Sequence, residues 1–271
     1  MWLMTVSRYI RTFLLVNAGL VSVQADDITV DLRSRVEVFK GSGEWREVHL
    51  RQSLSVEKAA IVICDMWDKH WCKGATERVG GLVVKMEPFL RAARKRGIQI
   101  IHAPSETMDF YRNAAQRQRM LAIPNVVPPT PIAFADPPLP IDDKRGGCDT
   151  KDEFYKAWTR ENPGLSIEAA DVISDNGSEI YSFLRQHDID TLLFMGVHAN
   201  MCILNRSFAV KRMTSLGIHC ILVRDLTDAM YSPEDSPHVS HAAGTELVIE
   251  YIEDYWCPTT TSASLLQAFA R

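Results

Sequence analysis

The fold is decided most clearly by one stretch of the chain, Thr191-Leu-Leu-Phe-Met-Gly-Val-His-Ala-Asn-Met-Cys202. Its continuous apolar start is typical of a strand buried on both faces of a parallel sheet. The glycine allows a turn, and the pattern predicts a helix that begins at the cysteine. A helix N-terminus presents unpaired N–H groups and a partial positive charge, which favour an ionised thiol. Cys202 is therefore a candidate nucleophile, although a small buried residue at a strand–helix junction would give the same sequence.

On both sides of this stretch, strands and helices alternate. Their predicted order is a strand over Ala59–Cys64, a helix from about Arg78 to Arg96, strands over Ile98–His102 and Ala170–Ser174, a helix over Ser178–Gln186, a strand over Thr191–Met195, a helix from Cys202 to about Ser215, a strand over Ile218–Val223 and a last helix from about Val239 to Tyr255. This alternation predicts an α/β fold with three layers, in which a doubly wound, mostly parallel sheet carries helices on both faces.

Two segments depart from this alternation. Residues 26–56 alternate polar and apolar positions around Gly41-Ser-Gly43, which predicts an N-terminal β arm before the main domain at 57–271. Residues 103–166 form an insertion that is rich in proline between residues 124 and 140. Loops this long are either functional or mobile. The insertion starts at the end of a strand, so we expect a cap over a pocket; an outer decoration or an oligomer contact is the alternative.

The first 25 residues resemble a targeting segment. Arg8 and Arg11 are followed by an apolar run over residues 13–23, and small residues precede Asp26. This pattern predicts a signal peptide and an exported protein that starts near Asp26, with no membrane association after cleavage. An uncleaved anchor or a wrongly assigned start codon would leave the same pattern.

Charge and cysteine content narrow the possible partners. Without Arg8 and Arg11 the chain has 28 basic and 34 acidic residues, a net charge of −6 that offers no basic surface for nucleic acid. There are six cysteines but no CxxC pair, which argues against a structural zinc site. In an exported protein the three cysteines in loop-like contexts could form disulfides, and these are Cys72, Cys148 and Cys257.

Polar residues follow the predicted strands at the ends where parallel sheets place their functional sites. Those expected to converge on one edge are Asp65, His102, Asp175, Cys202 and Asp225.

Three motifs together resemble the isochorismatase-like cysteine hydrolases, a family that includes nicotinamidases and N-carbamoylsarcosine amidases. They are Ile61-Val-Ile-Cys-Asp65-Met-Trp-Asp68, Gly196-Val-His-Ala-Asn-Met-Cys202-Ile-Leu204 and Gly217-Ile-His-Cys-Ile-Leu-Val-Arg-Asp225. The resemblance covers most of residues 57–265 outside the insertion. It implies hydrolysis of a C–N bond in a small amide or carbamoyl compound, without a cofactor, by a protein that forms homo-oligomers.

The same resemblance implies residue roles. Cys202 would attack the substrate carbon to give a thioester, and Asp65 would move the proton. The backbone N–H groups of His198 and Cys202 would form an oxyanion hole, with a cis peptide at Val197–His198.

The sequence departs from the family pattern where a lysine normally supports the thiolate and the aspartate. Asp175 occupies that position, and a second carboxylate there would not stabilise a thiolate. We expect a cation from the insertion to take its place: Arg160 first, since it lies nearest the third strand, or else Lys144 or Arg145.

The metal-binding motif of nicotinamidases is also missing. The segment 101–106 lacks the Asp-x-His spacing, so we expect no metal ion and a substrate other than nicotinamide. The residues expected to line the pocket are Trp67, Asp68, His70, His102, Asp175 and Asn200. The aromatic members could form a wall for a flat substrate or could be ordinary rim packing.

Two other functions remain open at this stage. A chain that lost turnover with the lysine could bind a small molecule without cleaving it. Alternatively, Cys202 could be a redox-sensitive thiol.

Overall fold

The computed structural model describes residues 27–270, so the predicted signal peptide at 1–25 lies outside the described residues. Eight strands form one sheet in the order β2-β1-β8-β7-β6-β3-β4-β5. The strands are β1 (Ile28–Glu37), β2 (Trp45–Leu54), β3 (Ala59–Cys64), β4 (Gln99–Ala103), β5 (Val172–Ile173), β6 (Thr191–Val197), β7 (His219–Asp228) and β8 (Thr259–Thr260).

Seven α-helices are found within residues 27–270. They are α1 (Lys73–Lys95), α2 (Ala115–Leu121), α3 (Gly177–Gln186), α4 (Cys202–Asn205), α5 (Val210–Ser215), α6 (His241–Tyr255) and α7 (Ser262–Phe269). No helix in this part of the chain combines the length and the apolar character needed to cross a membrane.

Most of the sheet is parallel, as predicted. The pairs β7–β8, β6–β7, β3–β6, β3–β4 and β4–β5 all run parallel. The predicted N-terminal arm is the antiparallel hairpin β1–β2, and it joins the sheet where Arg33 pairs with Thr259 of β8. The predicted doubly wound α/β fold is therefore confirmed, with the hairpin extending one edge of the sheet.

The centre of the sheet is buried on both faces, which explains why β3 has no polar residue. Ala60 and Val62 face a core that includes α3 and α6. Ile61 and Ile63 alternate with them and face the opposite core, which includes α1 and α7. Because successive side chains of a strand point to opposite faces, a strand between two helical layers must be apolar throughout.

Several boundaries differ from the prediction. The helix expected from Cys202 to Ser215 is split into α4 and α5, and α1 begins at Lys73 rather than near Arg78. Strand β7 continues to Asp228 through a register irregularity opposite β6. Asp225 therefore lies inside β7, where it accepts hydrogen bonds from Ser262 at the start of α7. It does not belong to the predicted edge cluster.

Candidate active site

The thiol of Cys202 meets the carboxylate of Asp65 at the carboxyl edge of the sheet. Asp65 follows β3, is fully buried and has a positive φ of 48°. Cys202 opens α4, and its thiol lies near enough to the Asp65 carboxyl group for each to shift the pKa of the other. The carboxylate oxygen Oδ1 accepts a hydrogen bond of 2.7 Å from the backbone N–H of Ser105. The strand ends thus bring together the two residues that the sequence motifs singled out.

Gly196 makes this meeting possible. A Cβ atom at this position would lie 2.0 Å from the carbonyl oxygen of Cys64, and its φ is +111°. Only glycine adopts this conformation without strain while allowing such a close approach. The ends of β6 and β3 are therefore held close together, directly before Asp65 and before the turn that leads to Cys202.

The cation beside Asp65 is Arg206. Its Nε lies 3.0 Å from Asp65 Oδ2, and its Nη1 lies 3.3 Å from Glu106 Oε1. The guanidinium carbon also lies 5.9 Å from the ring centroid of Trp67. Arg206 follows α4 directly, one helical turn after Cys202, so one short segment supplies both the thiol and the positive charge.

This placement corrects the expectation for Arg160. The Arg160 guanidinium lies over the Phe110 ring at 5.4 Å, and its carbonyl oxygen accepts a hydrogen bond from Asp68 N–H. Of the other cations considered, Arg145 pairs with Asp235. Asp175, at the position where the resemblance implied a lysine, accepts a hydrogen bond of 2.9 Å from Glu106 N–H.

Burial affects the protonation of the Cys202 thiol. It raises the pKa of Cys202, and the adjacent Asp65 carboxylate raises it further, although Arg206 opposes both. Burial likewise raises the pKa of Asp65, while Arg206 and the hydrogen bonds from Cys202 and Ser105 lower it. The net pKa of both groups is raised, so burial favours the neutral thiol, whereas Arg206 favours the ionised form of Asp65.

Two backbone N–H groups beside the sulfur are free to bind an anion. The Val197–His198 peptide is cis. Within residues 27–270, neither His198 N–H nor Cys202 N–H donates to a protein acceptor. The backbone of His198 lies near enough to the sulfur to lower the pKa of Cys202. A developing oxyanion on a substrate bound to Cys202 could accept both hydrogen bonds.

An aromatic wall stands next to the site. Trp67 stacks on Trp158 with 4.4 Å between ring centroids, and His70 stacks on Trp158 at 5.9 Å. His70 also meets His198 edge-on at 5.1 Å. Burial lowers the pKa of His70 to about 4 and that of His198 to about 3, so both rings are neutral at pH 7. The wall is therefore flat and uncharged.

A cavity of about 390 Å³ opens beside Cys202. Its lining comes from α4 and its flanks and from the insertion, and consists of Leu139, Asp143, Asn200, Met201, Cys202, Asn205 and Arg206. The side chain of Asn200 is largely occupied with structure, because it bonds to both the N–H and the carbonyl of Met230 and to Asp143.

Two predicted pocket residues hold the insertion in place instead. Asp68 accepts hydrogen bonds from the backbone and hydroxyl of Thr159, at 2.9 and 2.6 Å. His102 is fully buried between two carboxylates, with 2.7 Å to Glu161 and 3.0 Å to Asp171. Neither side chain is free to contact a substrate, since each is already paired within the protein.

Sequence reasoning missed three contributors to the site. Arg206 could have been found from its spacing, because residues four apart on a helix share a face. Trp158 and Glu106 lie in the insertion, where no periodic pattern relates them to the strand ends. Their positions depend on how the loop packs.

Comparison with solved structures gives the class of this fold. The chain is similar to a cysteine hydrolase from Pseudomonas syringae pv. phaseolicola, with a TM-score of 0.54 and 18% identity over 80% of this chain and 94% of that chain. It is also similar to an isochorismatase family protein from Desulfovibrio vulgaris, with a TM-score of 0.44 and 16% identity over 79% and 99% of the two chains. An isochorismatase from Pseudomonas putida gives a TM-score of 0.48 and 16% identity over 77% and 90%.

No protein-family model matches the sequence, and no curated protein matches it. The likeness to solved structures therefore speaks for the fold. The chain has the isochorismatase-like α/β fold, which confirms at this level the resemblance seen in its motifs.

Proposed function

We propose that this protein is an exported cysteine hydrolase that cleaves the C–N bond of a small amide or carbamoyl compound through a thioester. The observation that carries the proposal is that the Cys202 thiol lies beside the buried Asp65 carboxylate, next to two backbone N–H groups that have no protein acceptor within residues 27–270. A nucleophile, a base and an oxyanion site within reach of one atom are the parts that acyl transfer needs.

In the first half of the reaction, Asp65 accepts the thiol proton while Cys202 Sγ attacks the substrate carbonyl carbon. The carbonyl oxygen becomes negative and accepts hydrogen bonds from His198 N–H and Cys202 N–H. One such donor lowers the barrier by about 3 kcal/mol. Asp65 then gives its proton to the leaving nitrogen, the C–N bond breaks, and the thioester and a free amine or ammonia remain.

In the second half, water attacks the thioester carbon and gives one proton to Asp65. The same two N–H groups stabilise the second oxyanion. The C–S bond breaks, the sulfur recovers the proton from Asp65, and the acid leaves. Arg206 keeps Asp65 ionised between the two halves, because its charge lies 3.0 Å from Oδ2.

The surroundings favour a small, polar substrate. The cavity of about 390 Å³ is at the lower end of the range for small-molecule pockets. Its lining includes the charged side chains of Asp143 and Arg206, whereas the aromatic wall of Trp67, His70 and Trp158 is buried and does not line it. A small amide or carbamoyl compound with polar groups satisfies both conditions.

A panel of amide and carbamoyl compounds, scored by ammonia release, tests the proposal. The protein is purified from the exported fraction of expressing cells, where its N-terminus should lie near Asp26. We expect release by the unaltered protein and by Cys220→Ala, which removes a thiol buried elsewhere. Release by Cys202→Ala should fall by about 10³-fold or more.

Equal release by Cys202→Ala and the unaltered protein would refute the nucleophilic role. Binding of panel compounds without release would favour the second candidate, a non-catalytic small-molecule-binding member of this fold. That candidate is motivated by Asp175, which replaces the expected lysine.

A further inference from the structure

A second group of thiols lies at the start of α1, apart from Cys202. Cys72 immediately precedes the helix, whereas Cys148 and Asp152 belong to the insertion. The two sulfur atoms and a carboxylate oxygen of Asp152 all lie within 4.8 Å of one another. The fold therefore brings together two soft ligands and one hard ligand from distant parts of the chain.

We propose that Cys72, Cys148 and Asp152 bind one divalent ion of the zinc class, with an oxygen ligand completing a tetrahedron. Zinc–sulfur bonds of about 2.3 Å and zinc–oxygen bonds of about 2.0 Å place tetrahedral ligand atoms roughly 3.5–3.8 Å apart. Cys148 Sγ and Asp152 Oδ2 are already 4.0 Å apart. Closing the group around an ion needs movements of about 1 Å or less, within the reach of side-chain rotation.

The hydroxyl of Thr150 shows how closely the three ligands converge. Its Oγ1 lies 3.3 Å from Cys72 Sγ, 3.4 Å from Cys148 Sγ and 2.6 Å from Asp152 Oδ2. One polar atom in contact with all three ligands marks a common centre. Its hydrogen bond to the carboxylate is the kind of outer contact that orients metal ligands.

The start of α1 favours negatively charged ligands. Cys72 immediately precedes this 23-residue helix, and the N-terminus of a helix carries a partial positive charge. The backbone N–H of Lys73, the first residue of the helix, donates a hydrogen bond of 2.8 Å to Asp152 Oδ2.

The group is also accessible. Cys148 and Asp152 line a cavity of about 350 Å³ that is separate from the one at Cys202. An ion bound here would join the insertion to the first turn of α1, and so to the loop that carries Trp67 and His70. Metal binding would therefore hold the insertion against the aromatic wall, whether or not the protein is a hydrolase.

Cobalt(II) titration of the reduced protein tests this site. Thiolate ligation of Co²⁺ gives a charge-transfer absorption in the near ultraviolet, and Zn²⁺ should displace it. The titration uses Cys202→Ala as the parent, so that the candidate nucleophile contributes no signal. We expect one equivalent bound, and affinity at least about 100-fold lower in Cys72→Ser and Cys148→Ser, because each loses a direct ligand. Cys220→Ser is the matched control and should bind like the parent.

A second measurement needs no substitution at the site. Alkylation of the unaltered, reduced chain, located by mass spectrometry, should show that Zn²⁺ protects Cys72 and Cys148 whereas Mg²⁺ does not. Absence of thiolate absorption, equal affinity in the Cys148→Ser variant, or equal alkylation with and without Zn²⁺ would each overturn the proposal.

Discussion

Arg206 is the residue whose loss should most disturb the candidate active site without removing the nucleophile. Replacing it by glutamine keeps a polar side chain of similar length but removes the charge beside Asp65. Burial already raises the pKa of this carboxyl group, and Arg206 is the largest opposing influence. In Arg206→Gln the carboxyl group should therefore hold its own proton, and it could no longer take one from Cys202.

The size of the effect follows from the geometry. Opposite charges about 4 Å apart attract each other by about 4 kcal/mol at an effective dielectric constant of 20. The Arg206 side chain is 29% exposed and is shared with Glu106, which weakens its hold on the fully buried Asp65. We take about 3 kcal/mol as the loss, which corresponds to about a hundredfold in an equilibrium constant. The rate at which Cys202 reacts should fall by about 10- to 100-fold.

The assay is the second-order rate of Cys202 alkylation by iodoacetamide at pH 7.5, read by peptide mass spectrometry. Arg206→Lys should recover most of the rate because it restores the charge. Arg160→Gln is the matched control and should react like the unaltered chain, because the Arg160 guanidinium lies over Phe110. Circular dichroism establishes that each variant is folded. Unchanged alkylation in Arg206→Gln, or equal slowing in Arg160→Gln, would refute the reasoning.

Two further predictions concern stability. Gly196→Ala places a methyl group 2.0 Å from the Cys64 carbonyl oxygen, so it should lower the free energy of unfolding by at least about 3 kcal/mol and the Tm by roughly 6–12 °C. The control Gly81→Ala has no atom within 4 Å of its added carbon and should leave the Tm unchanged or raise it. Equal Tm values for the two variants would contradict the argument. Burial lowers the pKa of His102, but Glu161 and Asp171 raise it to a net value of about 9, above the ordinary 6.5. The protonated ring between these two carboxylates therefore stabilises the folded state, and this contribution is fully present below pH 6.5 and is lost as pH rises through 9. In urea unfolding, the free energy of unfolding of the unaltered chain should therefore fall by on the order of 3 kcal/mol between pH 6.5 and 9, whereas that of His102→Gln should not. Parallel pH profiles of the two proteins would contradict this role of His102.

The parallel sheet could be predicted because its central strands have a simple physical requirement. Strand β3 is covered on both faces, so every residue from Ala59 to Cys64 must be apolar, and this leaves an uninterrupted run in the sequence. The two-residue strand β8, which lies between β1 and β7, leaves no such signal, since two residues are too few to show a period. Strand β5 lies within the strand predicted at Ala170–Ser174. The sequence does not predict the break between α4 and α5, because the residues on both sides of it fit the pattern of a single helix.

The candidate site divides in the same way. Asp65 and Cys202 could be located because Asp65 directly follows β3 and Cys202 follows β6 after a short turn, and both strands end at one edge of the sheet. Trp158 and the ligands around Cys148 could not, because they lie in an insertion whose path depends on tertiary contacts such as the one between Asp68 and Thr159. The cation was assigned to the insertion because Arg160 is near the third strand in sequence. In the folded chain the cation beside Asp65 is instead Arg206, which follows α4 and lies four residues after Cys202.

An arginine at this position also restricts which group can move a proton. A lysine beside a buried carboxylate can lose its own proton when its pKa falls, whereas a guanidinium stays charged under all ordinary conditions. The pKa of Arg206 is raised further because Asp65 and the sulfur of Cys202 outweigh its burial. Arg206 can therefore stabilise negative charge on either the carboxylate or the sulfur, but it cannot act as an acid. In the proposed mechanism, the proton that leaves Cys202 would therefore be accepted by Asp65 and not by a basic side chain at this position.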